Sequence, residues 1–331
     1  MQGFGQIIGH ESIIQHLQNA ISSHKVSHAY ILHGEEGMGK KLLATSFAKA
    51  LQCEEGGILS CDRCKSCMQV ETSNHPDIMW VTHEKVSIGV DDIRLQVNGD
   101  IQVKPYNSPY KIYIIDDSDK LTEQAQNALL KTVEEPPEYA IIILLVSNIS
   151  VILPTILSRC VQLNLKPVDK QSIKEFLMTQ HHVPDYMAEM AATFSGGNVG
   201  KAIKYASSED FEKMKGDVLH ILKYIDDMEL YEVISGLKTL TANKASIEDY
   251  IDLMVLWYRD VIMYKATKDP DLLLYREELT FINKQANIRS YEGVEKIISA
   301  MEKAKIRLKA NVNFDIAIEL MLLTIKENCN G

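Results

Sequence analysis

The segment Gly34-Glu35-Glu36-Gly37-Met38-Gly39-Lys40-Lys41 constrains the fold of this chain more than any other. Gly34, Gly39 and Lys40 have the spacing of a phosphate-binding loop, in which backbone N–H groups cradle phosphate oxygens and the lysine reaches the terminal ones. Such a loop works only between a buried strand and the N-terminus of a helix, where unpaired N–H groups and the helix dipole favour an anion. Both flanks are present. His28-Ala29-Tyr30-Ile31-Leu32 is a short apolar strand, and Leu42, Leu43, Ser46, Phe47, Ala50 and Leu51 follow at helical spacing. A strand, Gly-rich turn and helix in this order predicts an α/β domain.

The residue after the lysine breaks the pattern. A working loop carries Ser or Thr there, whose hydroxyl is a ligand of Mg²⁺. Lys41 has no oxygen to give, and an ammonium at a helix start is opposed by the dipole unless an anion is present. Further on, Lys111-Ile112-Tyr113-Ile114-Ile115-Asp116-Asp117 reads as a buried strand ending in two carboxylates. This is a Walker B pattern: the first acid holds Mg²⁺ and its acidic neighbour polarises the attacking water. Asp117 stands where a longer Glu is usual, which shortens its reach. The continuous apolar run Ala140–Val146 reads as a central parallel strand covered on both faces. It ends at Ser147-Asn148, on the edge where ligands of such sheets bind, so Asn148 joins Gly34, Gly37 and Gly39 among the candidate nucleotide contacts. Whether ATP or ADP still occupies so altered a loop is left open by these residues.

Four of the six cysteines, Cys53, Cys61, Cys64 and Cys67, are spaced C-x7-C-x2-C-x2-C. Four thiolates with intervening turn formers such as Gly56, Gly57 and Asp62 match a closed tetrahedral zinc site with a structural role. An iron–sulfur cluster is the rival, but the Cys-Pro ending of the ferredoxin run is missing. Free thiols are the third option. Cys160 and Cys329 read as plain apolar or surface thiols. The net charge of −10, from 35 basic against 45 acidic side chains, is shared by both halves and argues against a free-standing nucleic-acid binder. No apolar run approaches the about 20 residues needed to span a bilayer, and the N-terminus lacks the layout of a secretory signal. The expected location is the cytoplasm.

A helix is expected near Glu11–Ile21, a short strand near Ile78–Val81 and a helix over Asp91–Val97, the last leaving Arg94 open between a phosphate contact and a solvated face. Thr122 predicts a helix cap, with the helix stopped by Pro136-Pro137. After Lys166-Pro167 the pattern turns to helices alone. Asp169–Met178, Pro184–Thr193 and a third starting near Asn198 form a small module, and Leu/Ile/Met-rich stretches such as Ile247–Lys265 and Tyr291–Ala310 predict a separate all-helical domain.

The phosphate-binding loop, the four-cysteine insertion, Ile114-Ile115-Asp116-Asp117, Ala125-Gln126-Asn127-Ala128 running to Glu134-Glu135-Pro136-Pro137, and Leu153-Pro154-Thr155-Ile156-Leu157-Ser158-Arg159-Cys160 occur in that order. Together they resemble the bacterial clamp-loader family of AAA+ proteins, motif by motif from Gly9 to about Lys204 and in architecture beyond. The resemblance implies an α/β P-loop (RecA-like AAA+) domain over 1–165 with a zinc module at 53–67. A small helical lid over 166–208 and an all-α collar over 209–331 would follow. ATPase members have Thr or Ser after the loop lysine, Asp-Glu in Walker B and an arginine in the lid; here those positions are Lys41, Asp117 and Gly200. Arg159 sits where the family places an arginine finger that reaches a neighbour's ATP. The resemblance therefore implies a stator: a subunit with no ATPase activity of its own inside a DNA-directed DNA polymerase (nucleotidyltransferase) holoenzyme. Its partners would be tau or gamma and delta subunits in a five-membered assembly, the sliding clamp and primer-template DNA, with no membrane. The competing reading is an active tau/gamma-like motor hydrolysing ATP at Lys40 and Asp116, which Lys41 disfavours. A zinc-dependent DNA-binding module is a third, opposed by the acidic charge.

Overall fold

The computed structural model describes residues 3–83, 86–207, 211–229, 240, 244–310 and 312–328. They fall into two compact units, Met1–Lys204 and Tyr205–Gly331. The expected lid-to-collar boundary at 208/209 and Cys329 lie outside the described residues.

The first unit is built on a five-stranded parallel sheet of β1 (Ala29–His33), β2 (Ile78–Val81), β3 (Lys111–Ile115), β4 (Ala140–Val146) and β5 (Val161–Asn164), in the order β2-β3-β4-β1-β5. Parallel neighbours need crossovers, and helices supply them. Successive residues of a strand face opposite sides, and the core divides accordingly. Tyr30, Leu32, Ile112, Ile114, Ile141, Ile143 and Leu145 pack with Leu17 of α1 (Glu11–Ser22) and with Leu43 and Phe47 of α2 (Lys40–Leu51). Ile31, Tyr113, Ile115, Ile142 and Leu144 pack on the other side with Ile93 of α4 (Val90–Ile93) and with Ala125 and Leu129 of α5 (Glu123–Glu134). All seven residues of β4 are buried, as a central strand covered on both faces requires.

The cysteine insertion contains α3 (Lys65–Glu71), a short helix not foreseen from the sequence. The segment after α4 continues as a π-helical turn over Arg94–Asn98, so the expected helix is present but changes its winding midway. Thr122 caps α5 by accepting the Ala125 N–H at 3.2 Å. After α6 (Pro154–Leu157) and β5 come α7 (Lys170–Gln180), α8 (Asp185–Phe194) and α9 (Val199–Ser207).

The described part of the second unit is entirely helical: α10 (Phe211–Tyr224), α11 (Ile247–Thr267), α12 (Leu279–Ile288), α13 (Tyr291–Lys309) and α14 (Phe314–Glu327), with short 3₁₀ turns. Its core holds polar ties as well as apolar contacts. Trp257 Nε1 donates to Gln285 Oε1 at 2.9 Å, and Asp260 Oδ2 accepts the Leu274 and Tyr275 N–H groups at 2.7 and 2.8 Å. Among the described residues no helix is long and apolar enough to cross a membrane.

Candidate functional site

Three strand ends converge at one edge of the sheet. β1 runs into the phosphate-binding loop, β3 into Asp116-Asp117, and β4 into Ser147-Asn148. The buried Lys40 ammonium meets three protein oxygens there. Its Nζ donates to the Gly34 carbonyl at 2.5 Å, the Glu35 carbonyl at 3.1 Å and Ser147 Oγ at 2.9 Å. Burial lowers the Lys40 pKa, opposed by the nearby Asp119 and Asp116 charges. Lys41, at the start of α2, reaches Asp116: Nζ lies 2.6 Å from Oδ2. That bond raises the Lys41 pKa and keeps the side chain charged.

The other acids are also engaged. Asp117 Oδ2 is 2.7 Å from Lys120 Nζ. Burial pushes the Asp117 carboxyl up, but Lys120 outweighs it and the net shift is downward. Asp119 Oδ1 accepts the Ser147 N–H at 2.8 Å. Asn148 turns to its own backbone, accepting the Ser150 N–H at 3.1 Å. It is therefore Ser147, not Asn148, that meets the loop lysine.

The helical module from the same unit covers the loop. Asn198 Nδ2 donates to the Glu36 carbonyl at 2.7 Å, and the Gly200 N–H donates to the Gly37 carbonyl at 2.9 Å. The two glycines are in backbone contact. A Cβ on Gly200 would stand 2.7 Å from Gly37 Cα, and a Cβ on Gly37, which sits at φ +87°, would stand 2.6 Å from Asn198 Oδ1. A side chain at position 200 has no room in this arrangement. His10 adds a further tie, its Nε2 donating to the Met38 carbonyl at 3.1 Å. His10, Ser147 and Asn198 were not singled out from the sequence as loop contacts. Single polar residues outside the loop carry no local signal of the carbonyl they will meet.

A Mg²⁺ ion does not fit this donor set. The position that supplies a hydroxyl ligand in a working loop supplies an ammonium, and that ammonium sits on the acid that holds the metal.

At a separate place, Arg159 follows α6. Its guanidinium Nε lies 3.0 Å from Glu134 Oε1, with both side chains about 40% exposed, and Nη1 donates to the Thr155 carbonyl and Ser158 Oγ. The loop leading into α6 is fixed by the buried Gln126 amide of α5, which donates to the Leu121 and Val151 carbonyls and accepts the Leu153 N–H at 2.8 Å. Arg94 is exposed and lies 3.9 Å from Asp91.

The four clustered cysteines come together. The Sγ atoms of Cys53, Cys61, Cys64 and Cys67 all lie within 4.8 Å of one another, against about 3.8 Å between sulfurs around tetrahedral zinc with Zn–S bonds of about 2.3 Å. The backbone already treats the sulfurs as acceptors: Cys61 N–H points to Cys53 Sγ, Cys64 N–H to Cys61 Sγ and Cys67 N–H to Cys64 Sγ, at 3.3, 3.3 and 3.4 Å. Burial raises the Cys64 thiol pKa, but backbone N–H groups at Cys67 and Glu54 bring it down to about 7. The buried Lys49 of α2 anchors the loop through Asp62 at 2.8 Å and Glu71 at 2.7 Å. Donor set and spacing fit a zinc ion held by all four thiolates, which would tie this loop to α3 and leave no open position for chemistry. Cys160 is a half-buried thiol, pushed up to about 12 by burial.

A family described as "DNA polymerase III, delta subunit" matches residues 9–169. The chain is 29% identical over 318 residues to DNA polymerase III subunit delta′ of Bacillus subtilis, covering 95% of each. It is 28% identical to subunit tau of the same organism over 96% of this chain but 61% of that one. With subunit tau of Escherichia coli it shares 33% identity over 55% of this chain and 29% of that one. Among solved structures, a gamma subunit-related protein of Thermotoga maritima has the same fold, with a TM-score of 0.50 at 20% identity over 96% of this chain and 99% of the other.

Proposed function

The chain is of the bacterial clamp-loader AAA+ kind, most like the delta-prime subunit of DNA polymerase III, and from that premise we propose that it is the stator of a clamp-loading assembly. It hydrolyses no ATP itself and lends Arg159 to a neighbouring ATPase subunit. The observation that carries this reading is the closure of its own site, where the Gly200 and Gly37 backbones meet with no room for a lid arginine. Arg159 contrasts with it. It is partly exposed; its one ion pair is with a surface acid, Glu134, such pairs are worth about 0–1 kcal/mol, and its other bonds go to the exposed Thr155 carbonyl and Ser158 hydroxyl, so a phosphate competes for the guanidinium at modest cost. A planar, always charged group with several donors suits a phosphoryl group in transfer.

In this reading, residues 1–165 form the AAA+ domain, 166–208 its lid and 209–331 the collar that joins delta and tau or gamma subunits in the cytoplasm. The assembly would open the sliding clamp and place it on primed DNA. Zinc at the four cysteines is structural.

The test is reconstitution with tau- or gamma-type and delta subunits. The isolated chain should show no ATP turnover. Arg159→Ala should leave assembly and zinc content unchanged while lowering the DNA- and clamp-stimulated ATPase of the complex. Arginine fingers contribute on the order of 10³ or more in rate at the site they serve, and total turnover falls less where other sites keep their own fingers. Unchanged turnover in the Arg159→Ala complex would reduce the chain to a passive collar element.

A further inference from the structure

We infer that Lys41 is a tethered monovalent cation standing in the divalent-metal position of the phosphate-binding loop, and that its charge makes the site refuse Mg²⁺ even where phosphates still enter. The inference rests on reading Gly34–Lys41 as a degenerate nucleotide loop. It goes beyond the loss of a hydroxyl, which removes one ligand and leaves the Asp116 carboxylate available to metal.

The carboxylate is already paired; the lysine is 68% exposed, so the pair itself is weak and it is the tethered charge that opposes a metal. Lys41 Nζ lies 2.6 Å from Asp116 Oδ2, within ordinary charge-assisted hydrogen-bond distance. Mg²⁺ demands oxygen ligands at about 2.0–2.1 Å in near-octahedral array, so a metal at Asp116 must first displace the ammonium. The displaced charge stays close, because Lys41 sits in the first turn of α2, directly after the loop. The neighbouring acids are also engaged, Asp117 with Lys120 at 2.7 Å and Asp119 with the Ser147 N–H at 2.8 Å. Lys40 and Lys41 together place two positive charges at the loop. Those are the charges a di- or triphosphate entering the loop meets in place of a metal ion, in competition with Asp116 for Lys41 and with the Gly34, Glu35 and Ser147 oxygens for Lys40.

Lys41→Thr and Lys41→Met separate the two explanations. Threonine removes the charge and supplies a hydroxyl, whereas methionine removes the charge alone at similar length. The full-length, zinc-loaded chain is dialysed to equilibrium against Mn²⁺ and ADP, and protein-bound Mn²⁺ is counted, with circular dichroism and zinc content as controls for folding. Wild type should retain no Mn²⁺ beyond the ADP-free control, and its ADP retention should be unchanged by chelator. Both variants should retain more Mn²⁺, by about 10-fold or more, Thr more than Met. Mn²⁺ retention by wild type, or by neither variant, overturns the inference. Retention by Lys41→Thr but not Lys41→Met also overturns it, because the missing hydroxyl would then be the whole explanation. Since only the isolated chain is measured, these outcomes are independent of the Arg159→Ala result on which the stator reading stands.

Discussion

At the scale of single residues, charge placement decides what each site does. Lys41 is a case where the sign of a shift sets a working range. Its pKa is raised by Asp116, so the lysine's contribution is fully present below the unfolded lysine value of about 10.4. It is lost as pH rises through the higher folded value, and neutral solutions leave the ammonium charged. Cys64 answers to a different rule, because it both ligates and caps: its sulfur accepts the Cys67 N–H that opens α3. Replacing it with Ser opens a closed site on which local folding depends. Elemental analysis should find a zinc ion per chain in wild type and clearly less in Cys64→Ser, with a lower midpoint in thermal unfolding. Absence of zinc from wild type purified under reducing conditions would remove the metal from the account, and an unchanged midpoint would remove its structural role.

At the scale of elements, the legible parts were those with a strong period or a specific breaker. The apolar run Ala140–Val146 emerged as β4 residue for residue, and Thr122 with Pro136-Pro137 bracketed α5. β5 was missed because four residues, alternating and only partly buried, carry too little signal. α3 was missed because the cysteines around it spoke of turns. The strand ends of the site could be read, since a loop and two acids must share one edge of a parallel sheet. Which atoms then meet was hidden: Ser147 rather than Asn148 reaches Lys40. Gln126 was quoted for its motif, but its work is at a distance, where its amide binds the Val151 and Leu153 backbone before α6. Gln126→Ala leaves those partly buried backbone groups without their partner, at a cost of about 1 kcal/mol. Denaturant unfolding should register that loss, and hydrogen exchange should quicken at the Leu153 amide. Unchanged exchange there would mean the loop holds its shape without the glutamine.

At the scale of the whole molecule, the two units hold themselves together differently. The first relies on a sheet with apolar layers on both faces. The second, all-helical among its described residues, buries an ion pair: the Arg289 and Asp226 side chains are 0% and 6% exposed, with Nη1 donating to Oδ2 at 3.0 Å. Breaking one half of a desolvated pair typically costs about 3–5 kcal/mol, whereas replacing both with apolar groups is often neutral. Arg289→Met should therefore lower the stability of the chain in thermal or denaturant unfolding, and Arg289→Met with Asp226→Leu should recover most of it. Equal losses in the single and double variants would show that packing, not charge, holds that place. The glycine pair in the first unit has a consequence of another kind. Gly37 occupies the space that a side chain on Gly200 would need, and Asn198 the space that a side chain on Gly37 would need. An arginine at position 200 collides unless the lid has already moved, so a threonine at position 41 restores metal affinity without restoring the lid. The way back to a working motor therefore needs the loop and the lid to change together, so the closed loop acts as a ratchet.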